Sequence, residues 1–566
     1  MKNVSIFLTG SLFPKLFYTL IILVCFSFQV FCQNTNKEDT ISLKNIKAAE
    51  TLYDLNFTEK EGEMMLNGLK GNKKNYEIIH NYLLANSVPP SIGFNPVPLG
   101  FNFEQVQQNI LWDFPKEVTL PDNLEELAFY SVSELSVLIK NKKISSEELT
   151  RFYINRLKKY DKQLHCVITL TEKLAIKQAR KADYEIAKGI YRGPLHGIPY
   201  GVKDLLAVEG YKTTWGSAAH KDQIIEETAT VVKKLEEAGA VLVAKLSLGS
   251  LAMGDIWYGE KTRNPWNPEQ GSSGSSAGPA SATAAGLVGF SIGSETLGSI
   301  VSPSTRCGVT GLRPSYGRVS RTGAMALSWT MDKLGPICRT AEDCALVFEI
   351  IRGSDNIDQT LYDAPFNYNA FKNIKNIKVG YTKDLFEKKY RGKSNDSTAL
   401  EVLKNMGIEL IPVKLPDNIP VNAIGFILSA EASAAFDELT RSDRDELLVS
   451  QRRYSWPNSF RQSRFIPAVE YINANRIRFQ LIQEMYKTMK DIDVLITPSF
   501  GGNQLSITNL TGQPCIVIPN GFNNNGTPTS FSIIGKLFDE ANILRIAKAY
   551  QDKTKFTKIQ PELFKE

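Results

Sequence analysis

The chain has 566 residues, 43% hydrophobic and 22% charged, an ordinary globular composition with enough apolar material for a large buried core, which argues against a disordered or low-complexity protein. Its 66 basic and 60 acidic residues leave a net charge of +6 without a block of like charges, so a nucleic-acid-binding tail is not expected.

Lys2 and Lys15 precede an apolar run from Leu16 to Phe28, and Val30-Phe31-Cys32 offers a cut site. This pattern predicts a signal peptide over 1–32 and a protein that is secreted or periplasmic after cleavage, with lipidation at Cys32 as the alternative. The run falls short of the ~20 residues that span a bilayer, so no stable membrane span is expected. Residues 33–125 are polar with scattered apolar positions and hold the Pro-rich stretch from Val88-Pro89-Pro90 to Pro98. They read as a helical N-terminal extension and connector ahead of a main body at 126–566.

In the body, Ser145 and Glu148 form a capping-box pattern, and Leu149, Phe152, Tyr153, Leu157 and Tyr160 share one helical face. "ATVVKKLEEAGAVLVAKL" predicts an amphipathic helix on Val231, Val232, Leu235 and Ala238, a stop at Gly239, and a buried strand from Ala240 to Leu246. Helix, glycine, strand recurs in Ala280–Ala285, Gly286 and Leu287–Ile292, and strands are expected in "IKVGYTKDLF" and "DIDVLITPSF". This grammar is α/β. Of seven cysteines, Cys25 and Cys32 lie in the leader; Cys166, Cys307, Cys338, Cys344 and Cys515 are odd in number and lack C-x-x-C spacing, so they read as small core residues, and neither a metal nor a cofactor is expected.

His80, His165, His196 and His220 have neither a G-x-S-x-G elbow nor a triad context beside them, which argues against a histidine base. Lys203 is a better candidate. It follows the apolar, glycine-punctuated "GIPYGV", and burial there disfavours the ammonium and leaves an amine able to act as a base near neutral pH. Farther on, "GSSGSSAGPASATAAG" (Gly271–Gly286) sets Ser272, Ser273, Ser275 and Ser276 among glycines ahead of an alanine-rich helix.

Together, "GIPYGVKDLL", "SGSSAGPASATAAGLVGFSIGSETLGSI" and "NLTGQPCIVIPNGF" resemble the three landmark segments of the amidase signature family of serine hydrolases, in family order between about residues 130 and 550, with "RNPWNP" just ahead of the serine loop. The resemblance implies an amidase signature fold: a large mixed twisted β-sheet core covered by helices, carried by 126–566. It also implies a Ser-cisSer-Lys triad. The family's nucleophile ends a segment matched here by "TLGS", which gives Ser299, and counting back 24 residues gives Ser275 as the bridging serine after a cis peptide, with Lys203 as base. Ser272 and Ser273 become loop residues and Ser276 a supporting hydroxyl. Backbone amides of Thr296, Leu297, Gly298 and Ser299 would form the oxyanion hole. Leu297 stands where the family commonly has glycine, and Val301 where many members have arginine.

The implied activity is hydrolysis of a small-molecule or peptide amide through an acyl-enzyme, releasing acid and ammonia or amine. The same family includes the glutamine-hydrolysing A-type component of tRNA-dependent amidotransferases, which works in the cytoplasm with partner subunits and charged tRNA. The leader, and "TLGSIVSPS" in place of the "GGSIR" usual in those components, rank the free amidase first. A third reading, an inactive binding protein with this fold, sits poorly with Lys203, Ser275 and Ser299 being present together. Substrate choice is expected to lie in 350–480 and the turn after Pro498, where Arg464, Arg476 and Arg478 are either solvated helix-face residues or contacts for a carboxylate.

Overall fold

A computed structural model of the protein describes residues 41–53, 59, 62–63, 66, 70 and 93–565 apart from 465. The expected leader and the Val88–Pro90 stretch lie outside the described residues. The chain divides into two compact units, Met1–Leu84 and Ala85–Glu566. In the first, helix α1 spans Leu43–Tyr53, and Lys47 pairs with Glu50 at 2.9 Å. Among the described residues, no helix is long and apolar enough to cross a membrane.

The strands of the second unit are, in chain order, β1 (Val167–Leu170), β2 (Pro199–Lys203), β3 (Val241–Leu246), β4 (Arg263–Asn264), β5 (Asn267–Gly271), β6 (Phe290–Glu295), β7 (Thr310–Arg313), β8 (Lys333–Cys338), β9 (Val379–Tyr381), β10 (Leu410–Pro412), β11 (Val494–Pro498), β12 (Cys515–Phe522) and β13 (Pro528–Gly535). Among the described residues, eleven form one sheet in the order β1-β3-β2-β6-β8-β7-β12-β13-β11-β9-β10, and β4 pairs with β5 apart from it. The sheet is mixed: β3-β2-β6 and β11-β9-β10 are parallel, while the strands between β6 and β11 run antiparallel. Its side chains alternate between two cores, as a pleated strand requires. Leu242 joins Tyr200, Val202, Phe290 and Ile292 on one face, and Val241 and Val243 join Ile154, Leu157 and Leu164 on the other.

Helix α2 (Ser146–Leu164) opens with the expected capping box of Ser145 and Glu148, and Leu149, Tyr153, Leu157 and Tyr160 are buried. Helix α3 (Thr230–Glu237) is followed by Gly239 at φ +82°, the left-handed stop, and then by β3. Helix α4 (Ala277–Ala284) is buried all round because "AGPASATA" carries nothing large. A Cβ on its Gly278 would stand 2.4 Å from the Ser247 backbone nitrogen, so the small residue is what admits the helix this close to the chain after β3. The strand after α4 begins later than the periodicity predicts, at Phe290 and not Leu287. Leu287 N–H instead donates to Ala282 as the helix closes, which draws Leu287 and Val288 into the connection. Farther on come α5 (Val301–Cys307), α6 (Lys393–Asn405) and α7 (Ala468–Thr488). The five cysteines of the body are free and buried.

Candidate active site

Parallel strands end at the same edge of a sheet, so neighbouring β2 and β6 bring their C-terminal residues together, and those residues are Lys203 and Glu295. The Lys203 side chain is fully buried, and its Nζ lies 2.7 Å from Ser275 Oγ, 2.8 Å from Ser294 Oγ and 3.2 Å from Ser276 Oγ. Burial pushes its pKa down to about 7, although Asp332 and Glu295 pull the other way.

The serine loop is built from close backbone contacts. The Gly274–Ser275 peptide is cis. A Cβ on Gly274 would stand 1.8 Å from the Gly254 carbonyl oxygen, so only glycine fits there. Ser276 ties three segments together: its Oγ donates to the Ser294 carbonyl at 3.0 Å and accepts the Ser294 N–H at 3.1 Å, and its N–H donates to the Ser299 carbonyl at 3.1 Å. Ser299 is therefore held against the loop through its backbone. Ser272 Oγ donates to the Ser273 carbonyl at 2.9 Å, and the Ser273 and Ser302 hydroxyls meet at 2.7 Å.

Ser299 precedes α5, and Glu295 organises this turn. One carboxylate oxygen accepts the N–H groups of Ile300 (2.8 Å) and Val301 (3.0 Å); the other accepts Arg313 Nη1 (2.7 Å) and Asn509 Nδ2 (2.9 Å). Burial raises its pKa, but the Arg313 guanidinium and these hydrogen bonds outweigh burial and hold it at about 2. Gly298 has φ +85°, a conformation that suits glycine. Thr296 is buried and donates from Oγ1 to Asp332 at 2.6 Å, and the other Asp332 oxygen accepts the N–H groups of Leu327 and Ser328. Leu297 is 42% exposed.

Thus Lys203, Ser275 and Ser276 come together by direct hydrogen bonds, and Ser299 joins them through Ser276. Ser294, Glu295 and Asp332 escape the reading of the sequence. The acid in "GSETLGS", four residues before Ser299 in a run of small and apolar residues, is a signal that could have found Glu295. Val301 is buried in an apolar cluster with Met331 and Ile424. The three arginines separate. Arg464 binds Asp437 and Arg476 binds Asn473, whereas Arg478 on α7 is buried, donating to the Leu510 carbonyl, Thr330 Oγ1 and the Thr330 carbonyl. The solvated reading does not hold for Arg478.

This buried lysine among serine hydroxyls lies within the region that a family model matches. The amidase family model matches residues 148–544; the chain belongs to this family and is an amide-hydrolysing enzyme. Among curated relatives, it is 33% identical over 487 residues to the A-type component of the glutamyl-tRNA(Gln) amidotransferase of Carboxydothermus hydrogenoformans, covering 77% of this chain and 100% of the relative. It is 34% identical over 495 residues to the component of the same name from Dehalococcoides mccartyi, covering 78% and 100%. Among solved structures, the native peptide amidase of Stenotrophomonas maltophilia superposes with a TM-score of 0.68 at 26% identity, covering 76% of this chain and 98% of that one.

These relatives correct one expectation. The leader predicts a secreted or periplasmic protein, but the curated relatives carry the name of the amidotransferase component that the family reading places in the cytoplasm. The leader itself lies outside the described residues.

Proposed function

We propose that Ser299 is the nucleophile, Ser275 the proton bridge and Lys203 the base of an acyl-enzyme amide hydrolysis carried by 126–566, and that the chain acts as an A-type component releasing ammonia from a glutamine-type carboxamide. The observation that carries the chemistry is the 2.7 Å approach of a buried lysine amine to Ser275 Oγ. Proton counting supports the base role. The Ser276 hydroxyl spends its own proton on the Ser294 carbonyl, so it accepts from Lys203. A neutral amine has two N–H groups and one lone pair. That leaves one N–H and the lone pair for the Ser275 and Ser294 hydroxyls, so one of the two donates its O–H to the amine, and the proposed relay runs through that of Ser275.

Ser299 then attacks the amide carbon as its proton moves through Ser275 to Lys203, and the backbone amides of Thr296, Leu297, Gly298 and Ser299 receive the developing oxyanion. Collapse breaks the C–N bond while the proton returns to the leaving nitrogen. Water, activated by the same relay, releases the acid. The amidotransferase role rests on curated relatives matched along nearly their whole length, which favour it over the free amidase that the sequence ranks first.

The free amidase is the second reading, favoured by the apolar burial of Val301 where many family members carry arginine. Ammonia release from glutamine, and amidation of glutamyl-tRNA in the presence of partner subunits, both lost in Ser299→Ala, are the expected results. Turnover of peptide or aryl amides without glutaminase activity would favour the second reading. A fluorophosphonate-type probe should label the parent but not Ser299→Ala; an unlabelled parent would point to an inactive binding protein.

A further inference from the structure

Behind α5 lies a cleft of about 290 Å³, near the lower end of the range for small-molecule sites. Ser302, Thr305 and Arg306 project into it from one face of α5, at the i, i+3, i+4 spacing of a helical stripe, and Arg391 and Phe500 come from the two segments where substrate choice is expected. The charge of the cleft is unusual. Arg306 reaches only the Gln270 side-chain oxygen, at 3.2 Å, and Arg391 only that of Asn525, at 3.5 Å; neither is ion-paired with a carboxylate among the described residues. The acid of the lining, Asp396, is buried and already bound by Tyr390 at 2.9 Å and Asn520 at 2.6 Å. Gly392, also in the lining, begins the 13-residue α6 without a side-chain cap, so the positive end of that helix opens here as well.

Two guanidinium groups free of carboxylate partners among the described residues, and an uncapped helix N-terminus, around one small cleft describe a receptor for a planar anion. We propose that this cleft binds the carboxylate of a small aliphatic acid, with the methylenes against Phe500, which is 57% exposed. The site is wired to the serine loop. The Ser302 hydroxyl meets that of Ser273, two residues before Ser275, and the Ser302 N–H donates to the Gly298 carbonyl at 2.8 Å. The carboxylate belongs either to the amide substrate or to a separate acid. The first case rests on the amide hydrolysis proposed above.

Binding is tested without catalysis by titrating glutarate into the Ser299→Ala protein in a calorimeter, with valeramide as the uncharged comparison. Glutarate is expected to bind, at least about tenfold more weakly in Ser299→Ala carrying Arg306→Gln or Arg391→Gln. In the active protein, where the carboxylate is the substrate's own, each arginine substitution raises KM for glutaramate at least about tenfold more than KM for valeramide. Glutarate competing with glutaramate assigns the site to the substrate's own acid; glutarate altering kcat for valeramide without competing assigns it to a separate acid. The proposal is overturned if glutarate does not bind, or if neither arginine substitution weakens it in a protein that still melts cooperatively. Glutarate binding in a chain that hydrolyses no amide would leave the cleft standing and remove the reaction instead.

Discussion

Lys203 and Lys245 lie on neighbouring strands β2 and β3, both wholly buried, yet they live in opposite chemical settings. Lys245 Nζ stands 2.8 Å from a carboxylate oxygen of buried Asp204 and also donates to Thr213 Oγ1 and the Lys212 carbonyl. Burial lowers its pKa, and the Asp204 charge works against that. Lys203 has three hydroxyls around its amine and no carboxylate in ion-pair contact; at both lysines burial outweighs the nearby negative charges and lowers the pKa, to about 7 at Lys203. Burial is common to the two, and the partners are what differ. A carboxylate partner holds a buried lysine in an ion pair whose loss strands a charge, whereas hydroxyl partners carry no charge to strand, and that is the setting the proposed base role of Lys203 requires.

This contrast can be broken most sharply at Lys203. Lys203→Ala is expected to cost on the order of 10⁴ in kcat/KM, with a residual rate that climbs with pH, in a protein whose melting temperature is not lowered to match. Lys245→Ala should do the reverse. Stranding buried Asp204 costs about 3–5 kcal/mol of stability, read from denaturant unfolding. Ranking the two variants the other way round would undo the contrast.

A smaller effect sharpens it through pH. Because the folded pKa of Lys203 is depressed to about 7, the amine is protonated below that value and cannot accept the Ser275 proton. The rate should therefore fall about tenfold per pH unit below about 7 and level off above it. The same depression means that folding stability declines as pH drops from the ordinary lysine value of 10.5 toward about 7. A flat rate profile from about pH 5 to 8 would remove Lys203 from the role of base. Ser272→Ala marks the low end: it loses one hydrogen bond to the Ser273 carbonyl, about 1 kcal/mol of stability, and leaves the Ser275 contact with Lys203 in place.

The legible parts of the molecule are those written locally. The Ser145–Glu148 box, the Gly239 stop and the small-residue run of α4 each act within a few residues, and the sequence announces them. The 2.7 Å meeting of Lys203 with Ser275 is legible through family resemblance, in which spacing along the chain stands in for proximity. What escapes is set by strand register and through-space contact. Glu295 lies across from Lys333 on β8, and Asp332 beside it reaches back to Thr296, pairings that periodicity does not encode. Arg478 escapes for a similar reason. The inward side of α7 is defined by segments remote in sequence, the chain at Thr330 and at Leu510.

The fit of Gly274 against the Gly254 carbonyl has a consequence for anyone seeking to redirect this enzyme. Even one added carbon at 274 collides with backbone that has no rotamer to move, so random libraries that include this loop will be dominated by misassembled clones. Leu297, with its side chain partly in solvent, offers variation at little risk to folding, and a search for altered selectivity is better spent there.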